Sequence, residues 1–300
     1  MVAISAGKPR RHISSRGYRT FRVVNAVILT VVVVLTLYPF VNIVSRSVSD
    51  NAAIVAGKVN LIPHGFNLTA YKLVTSDPMF WTNYRNTVFY TVLSTAISIV
   101  LTVCYAYVLS KRDLKGRNIL VGIAVFTMFF TGGLIPNYVL VTGLGLKNTV
   151  WAIALPNAIN VFNLLVMKAF FESFPVDLEE AAAVDGLNTY GILLRIVVPL
   201  SKAMIATMVL FYAVAYWNSW FAAFLYMDRQ ELFPVTVYLR NLIAGATDAT
   251  SSGASAGDVV QSAATIQSVT IVLTVLPILV VYPFIQRYFV SGVMLGAVKG

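Results

Sequence analysis

Few side chains in this 300-residue sequence are of the kind that carry out chemistry. The two histidines, His12 and His64, have no partner at a metal-ligand spacing, and the single cysteine, Cys104, lies in an apolar stretch. The nearest approach to a phosphate-binding loop, which ends at Lys147, lacks a hydroxyl residue after the lysine. We therefore expect no catalytic residue, no metal site and no ATP hydrolysis by this chain alone.

The apolar parts of the chain do contain amides and phenols. Asn157, Asn160 and Asn163 recur at every third residue, which on one continuous helix places them on a broad common face. Such groups can bind sugar hydroxyls along a route through a membrane. They can equally hold helices together by interhelical hydrogen bonds, each worth about 0.6 kcal/mol on average, so both interpretations stay open. The candidates for this route are Asn137, Tyr138, Asn157, Asn160, Asn163, Tyr216, Asn218 and Gln267.

The composition indicates that membrane helices position these residues. The chain is 58% hydrophobic and 11% charged, whereas about a quarter of the residues in a soluble protein are charged. A β-barrel would show short alternating segments instead of long apolar runs. We predict an all-α membrane protein with six transmembrane helices, since six charge-free runs reach the roughly 20 residues that a span needs. The runs are Val23 to Ser45, Asn86 to Ser110, Asn118 to Leu146, Asn148 to Met167, Ala203 to Met227 and Val259 to Gln286.

Orientation follows from the basic residues. With the N-terminus in the cytoplasm, most of the 22 Lys and Arg residues lie on the inner side. This bias explains the net charge of +10 without nucleic acid, and the basic cluster near the N-terminus is expected to face anionic lipid headgroups. The predicted organisation is a cytoplasmic tail (1–22), a transmembrane domain (23–290) that contains a cytoplasmic loop (172–202), and a cytoplasmic C-terminal tail (291–300).

The six runs contain no ionisable residue of the Asp, Glu, Lys, Arg or His type. Proton-driven transporters usually carry such residues as relays, so their absence from these runs disfavours proton coupling. Coupling to sodium through hydroxyls and helix-break carbonyls stays open. The simplest source of energy is another subunit, and the alternative is a stand-alone secondary transporter or a channel for small polar solutes.

The predicted cytoplasmic loop contains the segment EEAAAVDGLNTYGILLRIVVP, from Glu179 to Pro199. Pro175 suits a first helical turn, and Gly186 after the alanines suits a helix end. Asn188 can cap a second helix, which Pro199 then ends. We predict a hairpin of two helices whose apolar faces have little of this chain to pack against. It is either a docking element or an amphipathic loop on the lipid headgroups.

A family resemblance favours the docking element. Glu180, Ala181, Ala182, Gly186, Ile196 and Pro199 have the spacing of the EAA motif in permease subunits of bacterial ABC importers, with Val198 in place of a leucine. The segment KAFFESFPVDLEEAAAVDG and the tail PFIQRYFVSGVMLGAVKG resemble the carbohydrate-uptake branch, which is related to maltose permeases. The segment FFTGGLIPNYVLVTGLGLKNT resembles the subset for complex oligosaccharides, including pectin-type and alginate-type fragments.

The resemblance implies a multi-pass protein of the bacterial inner membrane. Its partners would be a second permease subunit, two ATP-binding subunits, an extracytoplasmic solute-binding protein and an oligosaccharide, with ATP and magnesium used by the ATPase and no cofactor on this chain. The loops Arg46 to Arg85 and Asp228 to Asp258 would face the binding protein. The ATPase-coupling positions implied are Glu180, Ala181, Ala182, Asp185, Gly186, Ile196 and Pro199, with Gly296 and Lys299 as tail contacts.

Overall fold

The computed structural model describes residues 16–251, 265–280 and 283, and these residues form helices joined by short connections. The first half of the described chain contains α1 (Arg16–Ser47), α2 (Asn51–Val55), α3 (Thr69–Ser76), α4 (Pro78–Ser110), α5 (Arg117–Phe129), α6 (Leu134–Gly143) and α7 (Trp151–Ala154). The second half contains α8 (Val161–Glu172), α9 (Val176–Val184), α10 (Thr189–Ile192), α11 (Val198–Leu200), α12 (Lys202–Trp217), α13 (Phe221–Tyr226), α14 (Val235–Ser251) and α15 (Thr265–Val280).

Two helices are long and apolar enough to cross a membrane in one piece. They are α1 and α4, and they contain the first two predicted runs. Two further pairs count as spans only if each bent pair is taken together, which gives up to four in the described residues. The apolar surface of α1 is exposed along most of its length, whereas α4 packs against both α8 and α12 at the centre of the molecule.

The third, fourth and fifth predicted runs each contain a break, so each consists of more than one helix. In the third, α5 and α6 meet at 113°. The break lies at Gly133, whose φ of +84° is open to glycine at little cost. In the fifth, α12 ends at Trp217 and the chain turns before α13 begins.

The fourth run divides into α7 and α8 with residues 155–160 between them. Pro156 has no N–H to continue a helix. Asn160 adopts an extended backbone (φ −86°, ψ 120°), and its Oδ1 accepts a hydrogen bond from the Asn163 N–H at 3.1 Å, which caps α8. The side chain of Asn160 therefore competes with the helix that the apolar periodicity had predicted to run through it.

The central core surrounds the C-terminal half of α4. Fully buried Leu109, Leu164, Met167 and Met208 bring α4, α8 and α12 together there. Between membrane helices the gain from such contacts is close packing, because lipid chains are as apolar as the side chains themselves.

At the opposite end of α4, a cap of short helices covers the bundle. Phe80 packs with Val74 of α3 and Val235 of α14. Asp77 accepts a hydrogen bond from the Met79 N–H at 2.8 Å, and its other oxygen accepts one from the Tyr238 hydroxyl at 2.6 Å. Burial, together with this carboxylate, raises the pKa of Tyr238.

Candidate functional site

The predicted hairpin is present and begins with α9. Pro175 lies just outside this helix, at its N-cap, and not in its first turn. At the other end the Gly186 N–H bonds to the Ala183 oxygen at 3.0 Å, and the Leu187 N–H bonds to the Ala182 oxygen at 3.1 Å. This pair of bonds is a Schellman motif, and Gly186 takes the left-handed conformation that it requires, with φ +83°. The chain therefore reverses here for a local reason.

The second half of the hairpin ends one residue beyond Pro199, close to where the sequence indicated. Asn188 caps α10 as predicted, with its Oδ1 accepting from the Gly191 N–H at 2.8 Å. The helix then widens into a π-helical turn, Leu193–Val197, and continues as α11. Pro199 was predicted to end the helix and instead lies inside α11, because the wide turn before it accommodates a residue without an N–H. The bend into α12, 83° in size, follows directly.

The two faces of the hairpin have different environments. Ala182 is 4% exposed and packs with Leu193 and Val197 into the central core. The expectation that the apolar faces have little of this chain to pack against was therefore wrong, since the end of the bundle supplies the partner surface. Ile196 is half-buried. The exposed residues of the hairpin include Glu180, Ala181, Asp185, Gly186 and Pro199.

Ion pairs attach the base of the hairpin to the corner between α4 and α5. Lys111 pairs with Glu179, and Arg117 pairs with Glu172, which also accepts from Lys168 Nζ at 2.9 Å. Burial opposes ionisation of Glu172, but the hydrogen bond and charge of Lys168, reinforced by Arg117, outweigh it and lower its pKa. Among the described ion pairs, none involves Glu180.

A second polar region surrounds the break between α7 and α8. The Asn160 N–H donates to the Tyr212 hydroxyl at 3.0 Å, and the Tyr216 hydroxyl donates to the Asn157 carbonyl at 3.1 Å. Broken helices leave backbone groups without intrahelical partners, and inside a membrane each such group needs another partner. Two tyrosines one turn apart on α12 provide these partners.

The tyrosines are in turn held by α4. Ser98 Oγ lies 2.9 Å from the Tyr216 hydroxyl, and Thr102 Oγ1 lies 2.7 Å from the Tyr212 hydroxyl. All four side chains are buried. The break is therefore fixed through hydrogen bonds that connect three separate parts of the chain.

Two cavities adjoin this break. The larger, of about 850 Å³, is lined by all three asparagines of the fourth run together with Tyr212, Tyr216 and the aromatic ring of Phe162. The smaller, of about 440 Å³, is lined by Asn137, Asn157 and Tyr226 among mostly apolar side chains. Asn157 lines both. The arrangement offers amide and phenol groups beside aromatic rings, which suits hydrogen bonding to the hydroxyl groups of a sugar.

Known proteins resemble this chain over nearly its whole length. It is 41% identical over 291 residues to protein LplC of Bacillus subtilis, covering 96% of this chain and 97% of that one. It is 42% identical over 270 residues to the polygalacturonan/rhamnogalacturonan transport system permease protein YtcP of the same species, covering 89% and 93%. The chain belongs to the permease subunits of carbohydrate ABC transport systems. No protein-family model matches it.

The fold of the permease is also known from a solved relative. A chain of a bacterial ABC transporter involved in the import of the acidic polysaccharide alginate aligns with a TM-score of 0.82 and 37% identity, covering 92% of this permease and 98% of that chain. The resemblance stated from the EAA motif is therefore confirmed at the level of the family.

The remaining predicted route residues lie in varied places in the permease. Tyr138 is half-buried and stacks on Tyr226 with ring centroids 6.0 Å apart. Asn218 is exposed and donates to the Val214 oxygen at 2.8 Å, and Gln267 is exposed on α15. Neither Asn218 nor Gln267 lines the two cavities described above. Gly296 and Lys299 lie outside the described residues.

Several site residues of the permease were not found from the sequence. Tyr212 carried a usable signal, because it precedes Tyr216 by four residues and so lies on the same helix face. The pairing of Glu172 with Lys168 also follows helical spacing. No signal of this kind connects Glu179 with Lys111, which are 68 residues apart in the chain.

Proposed function

We propose that this permease forms half of the translocation pathway of an ATP-driven oligosaccharide importer. We further propose that a cytoplasmic ATPase transmits its conformational change to the membrane helices through the hairpin. The observation that carries the proposal is the division of the hairpin into two faces. Ala182 is buried in the bundle, while Glu180, Ala181 and Asp185 are exposed around the turn at Gly186. One face is rooted in the membrane helices, and the other is free for a partner.

Each exposed group has a physical role in such a contact. Glu180 offers a charge in the middle of α9, on its exposed surface. Ala181 has a short side chain that permits close approach of a partner surface. Gly186 fixes the turn, so the two helices keep their relative orientation when the ATPase changes conformation. The coupling loop is the segment 172–202, and Ile196 and Pro199 support the wide turn behind it.

The proposed assembly contains a second permease, two ATP-binding subunits that use ATP and magnesium, and an extracytoplasmic solute-binding protein. The permease would cross a bacterial inner membrane six times with both termini in the cytoplasm. In this orientation the basic tail 1–22 and the tail 291–300, with Gly296 and Lys299, are cytoplasmic. The cap at the opposite end of α4 then faces the binding protein. This chain would bind no cofactor and no nucleic acid, and it would not act as an enzyme.

We propose an oligosaccharide as the transported substrate. The names of the relatives point to polygalacturonan, rhamnogalacturonan and alginate fragments as the first candidates. The larger cavity supports a role for this chain in contacting the sugar, because Asn160, Asn163 and Tyr212 present polar groups beside Phe162 and Phe211. Asn137, in the smaller cavity, would extend the same surface.

The test compares two glycines that share a positive φ but not a location. Gly186 has φ +83° and Gly145 has φ +70°, and a Cβ on either would meet nothing within 4 Å. Alanine at each site therefore costs a similar backbone strain of about 1–2 kcal/mol. In the reconstituted importer, Gly186→Ala and Glu180→Lys are expected to lower sugar uptake and substrate-stimulated ATPase activity while membrane insertion persists.

Gly145→Ala is the matched control and should retain both activities. Equal behaviour of the Gly186 and Gly145 variants would contradict the proposal, since strain alone would then explain the loss. The purified permease without ATPase subunits provides a second test. Sugar flux driven by an ion gradient in that preparation would support a stand-alone transporter instead.

A further inference from the structure

We infer that two ion pairs, Lys111–Glu179 and Arg117–Glu172, form an ionic clasp that makes the α4–α5 corner move together with the hairpin. This inference rests on the proposed coupling function of the hairpin. Through the clasp, the conformational change of the ATPase would be transmitted directly to α4 and α5. It would also be transmitted to α8 and α12, which are continuous with the hairpin. The four clasp residues act as positioning residues and touch neither ATP nor sugar.

The clasp connects two segments at both of their ends. Lys111 follows the last residue of α4, and Arg117 is the first residue of α5. Glu172 is the last residue of α8, and Glu179 lies in the first turn of α9. A corner that is attached at its beginning and at its end cannot swing separately from the segment to which it is attached. The two segments therefore move as one body.

Each cation is also fixed to α4 by a second contact. The Lys111 ammonium lies over the Tyr107 ring at 4.0 Å from its centroid, and Arg117 Nε donates to the Leu109 oxygen at 2.8 Å. Tyr107 and Leu109 are buried in the central core. A displacement of the carboxylates on the hairpin side is consequently passed to the rigid part of α4 and does not end in mobile side chains.

The clasp is better shielded than an ordinary surface pair. The side chains of Lys111 and Glu179 are 27% and 25% exposed, and those of Arg117 and Glu172 are 22% and 26% exposed. Fully exposed pairs contribute little because water and salt screen them. Partial burial of both ion pairs reduces this screening.

The clasp leads toward the cavity. Thr102 lies nine residues before Lys111, roughly 14 Å along α4, and its hydroxyl bonds to Tyr212. Ser98 lies one turn further and bonds to Tyr216. A movement of the α4 end is thus carried along one continuous helix to the hydrogen bonds that hold the break between α7 and α8. The hairpin would act on this break from two sides.

Charge reversal tests the clasp in the complete importer. The permease is reconstituted in proteoliposomes with its second permease, both ATPase subunits and the binding protein, and a polygalacturonan-derived trisaccharide is the probe. The variants are Lys111→Glu, Glu179→Lys and the double exchange. Arg112→Glu is the control, because this exposed neighbour reverses the same charge outside the clasp. The measured quantity is the amount of sugar imported per ATP hydrolysed.

Each single reversal is expected to lower this ratio about fivefold, within the range for residues that modulate coupling without touching a ligand. The double exchange should restore it to within about twofold of the wild type, since the opposite charges again face each other. Arg112→Glu should match the wild type. If a reversal prevents folding, Glu179→Gln keeps the shape without the charge and should lower the ratio to a smaller degree.

A purely structural role would lower the yield and melting temperature of the complex and leave the sugar-to-ATP ratio unchanged, which would overturn the clasp. Single reversals with the wild-type ratio, or a double exchange that restores nothing, would also overturn it. In all these outcomes a wild-type complex that imports sugar leaves the proposed function standing. A wild-type complex that hydrolyses ATP without importing any saccharide would contradict the proposed function itself.

Discussion

The hairpin and the break between α7 and α8 are held by opposite kinds of interaction. Ion pairs at partly exposed positions attach the hairpin to the bundle, as in Lys111 with Glu179. The break is held by uncharged hydrogen bonds to buried tyrosines, as in Tyr216 with the Asn157 carbonyl. This difference follows from dielectric environment, because a charge inside a membrane is expensive whereas a charge at its surface is solvated. Each region uses the strongest interaction that its surroundings permit.

The largest effect is expected from removing both phenol hydroxyls at the break. The double variant Tyr212→Phe with Tyr216→Phe leaves the Asn160 N–H and the Asn157 carbonyl without these partners. It also removes the partners of the buried Ser98 and Thr102 hydroxyls, and each unsatisfied buried group costs about 1–3 kcal/mol. Thermal unfolding of the purified permease should show a markedly lower melting temperature, and sugar uptake by the complex should fall with it.

Tyr90→Phe is the control for this comparison. The Tyr90 hydroxyl bonds to the Leu232 carbonyl at 2.9 Å, and Tyr90 lines neither of the two cavities. The Tyr90→Phe variant should have a lower melting temperature than the wild type and an unchanged sugar uptake per folded complex. An equal loss of uptake in Tyr90→Phe and in the double variant would show that the break has no special role.

The next largest effect is expected from placing the same large side chain on the buried or on the exposed face of the hairpin. Ala182→Leu inserts a large side chain into the central core, and overpacking typically costs about 1–3 kcal/mol. Ala181→Leu places the same side chain on the exposed face. We expect the first to lower the melting temperature of the permease alone, and the second to leave it unchanged while weakening binding of the ATPase subunits. A reversal of these results would mean that the faces are assigned incorrectly.

A smaller effect is expected from replacing either of the two asparagines that cap helices. Asn160 caps α8 beside the cavity, and Asn188 caps α10 in the hairpin. Replacing either with alanine should cost about 1 kcal/mol of stability, since each loses one side-chain bond to a helix N-terminus. Their effects on function should differ. Asn160→Ala should raise the sugar concentration needed for half-maximal uptake, and Asn188→Ala should lower substrate-stimulated ATPase activity, both measured against the corresponding serine variants.

The smallest effect is a pH dependence at the clasp. The pKa of Glu172 is lowered from 4.5 in the folded state. The ionised carboxylate therefore stabilises the fold fully at a pH above its pKa in the unfolded state, and this stabilisation is lost as the pH falls through its pKa in the folded state. Melting temperature should therefore decline less steeply on acidification in Glu172→Gln than in the wild type. Unfolding curves at several pH values between about 3 and 6 measure this. Identical slopes would show that this carboxylate contributes nothing to the acid dependence.

The sequence predicted the hairpin well and the cavity region poorly, for one reason. Gly186 and Asn188 act through bonds to residues at most four positions away, so their signal is local. The three asparagines were expected to share one helix face, and instead they meet around a cavity because the helix is broken at Pro156 and Asn160. That break is hydrogen-bonded to the hydroxyls of Tyr212 and Tyr216 on α12, which the apolar pattern of the fourth run does not contain.

By itself the sequence determined the membrane class of this permease, its family and the reversal of the hairpin, since apolar run length and turn residues are local quantities. Only the tertiary structure decided that Ala182 is buried while Ala181 is exposed, because helical spacing does not say which side meets the bundle. It alone also paired Arg117 with Glu172 across 55 positions of the chain. Such contacts depend on how the helices pack, and packing is fixed by all of their surfaces together.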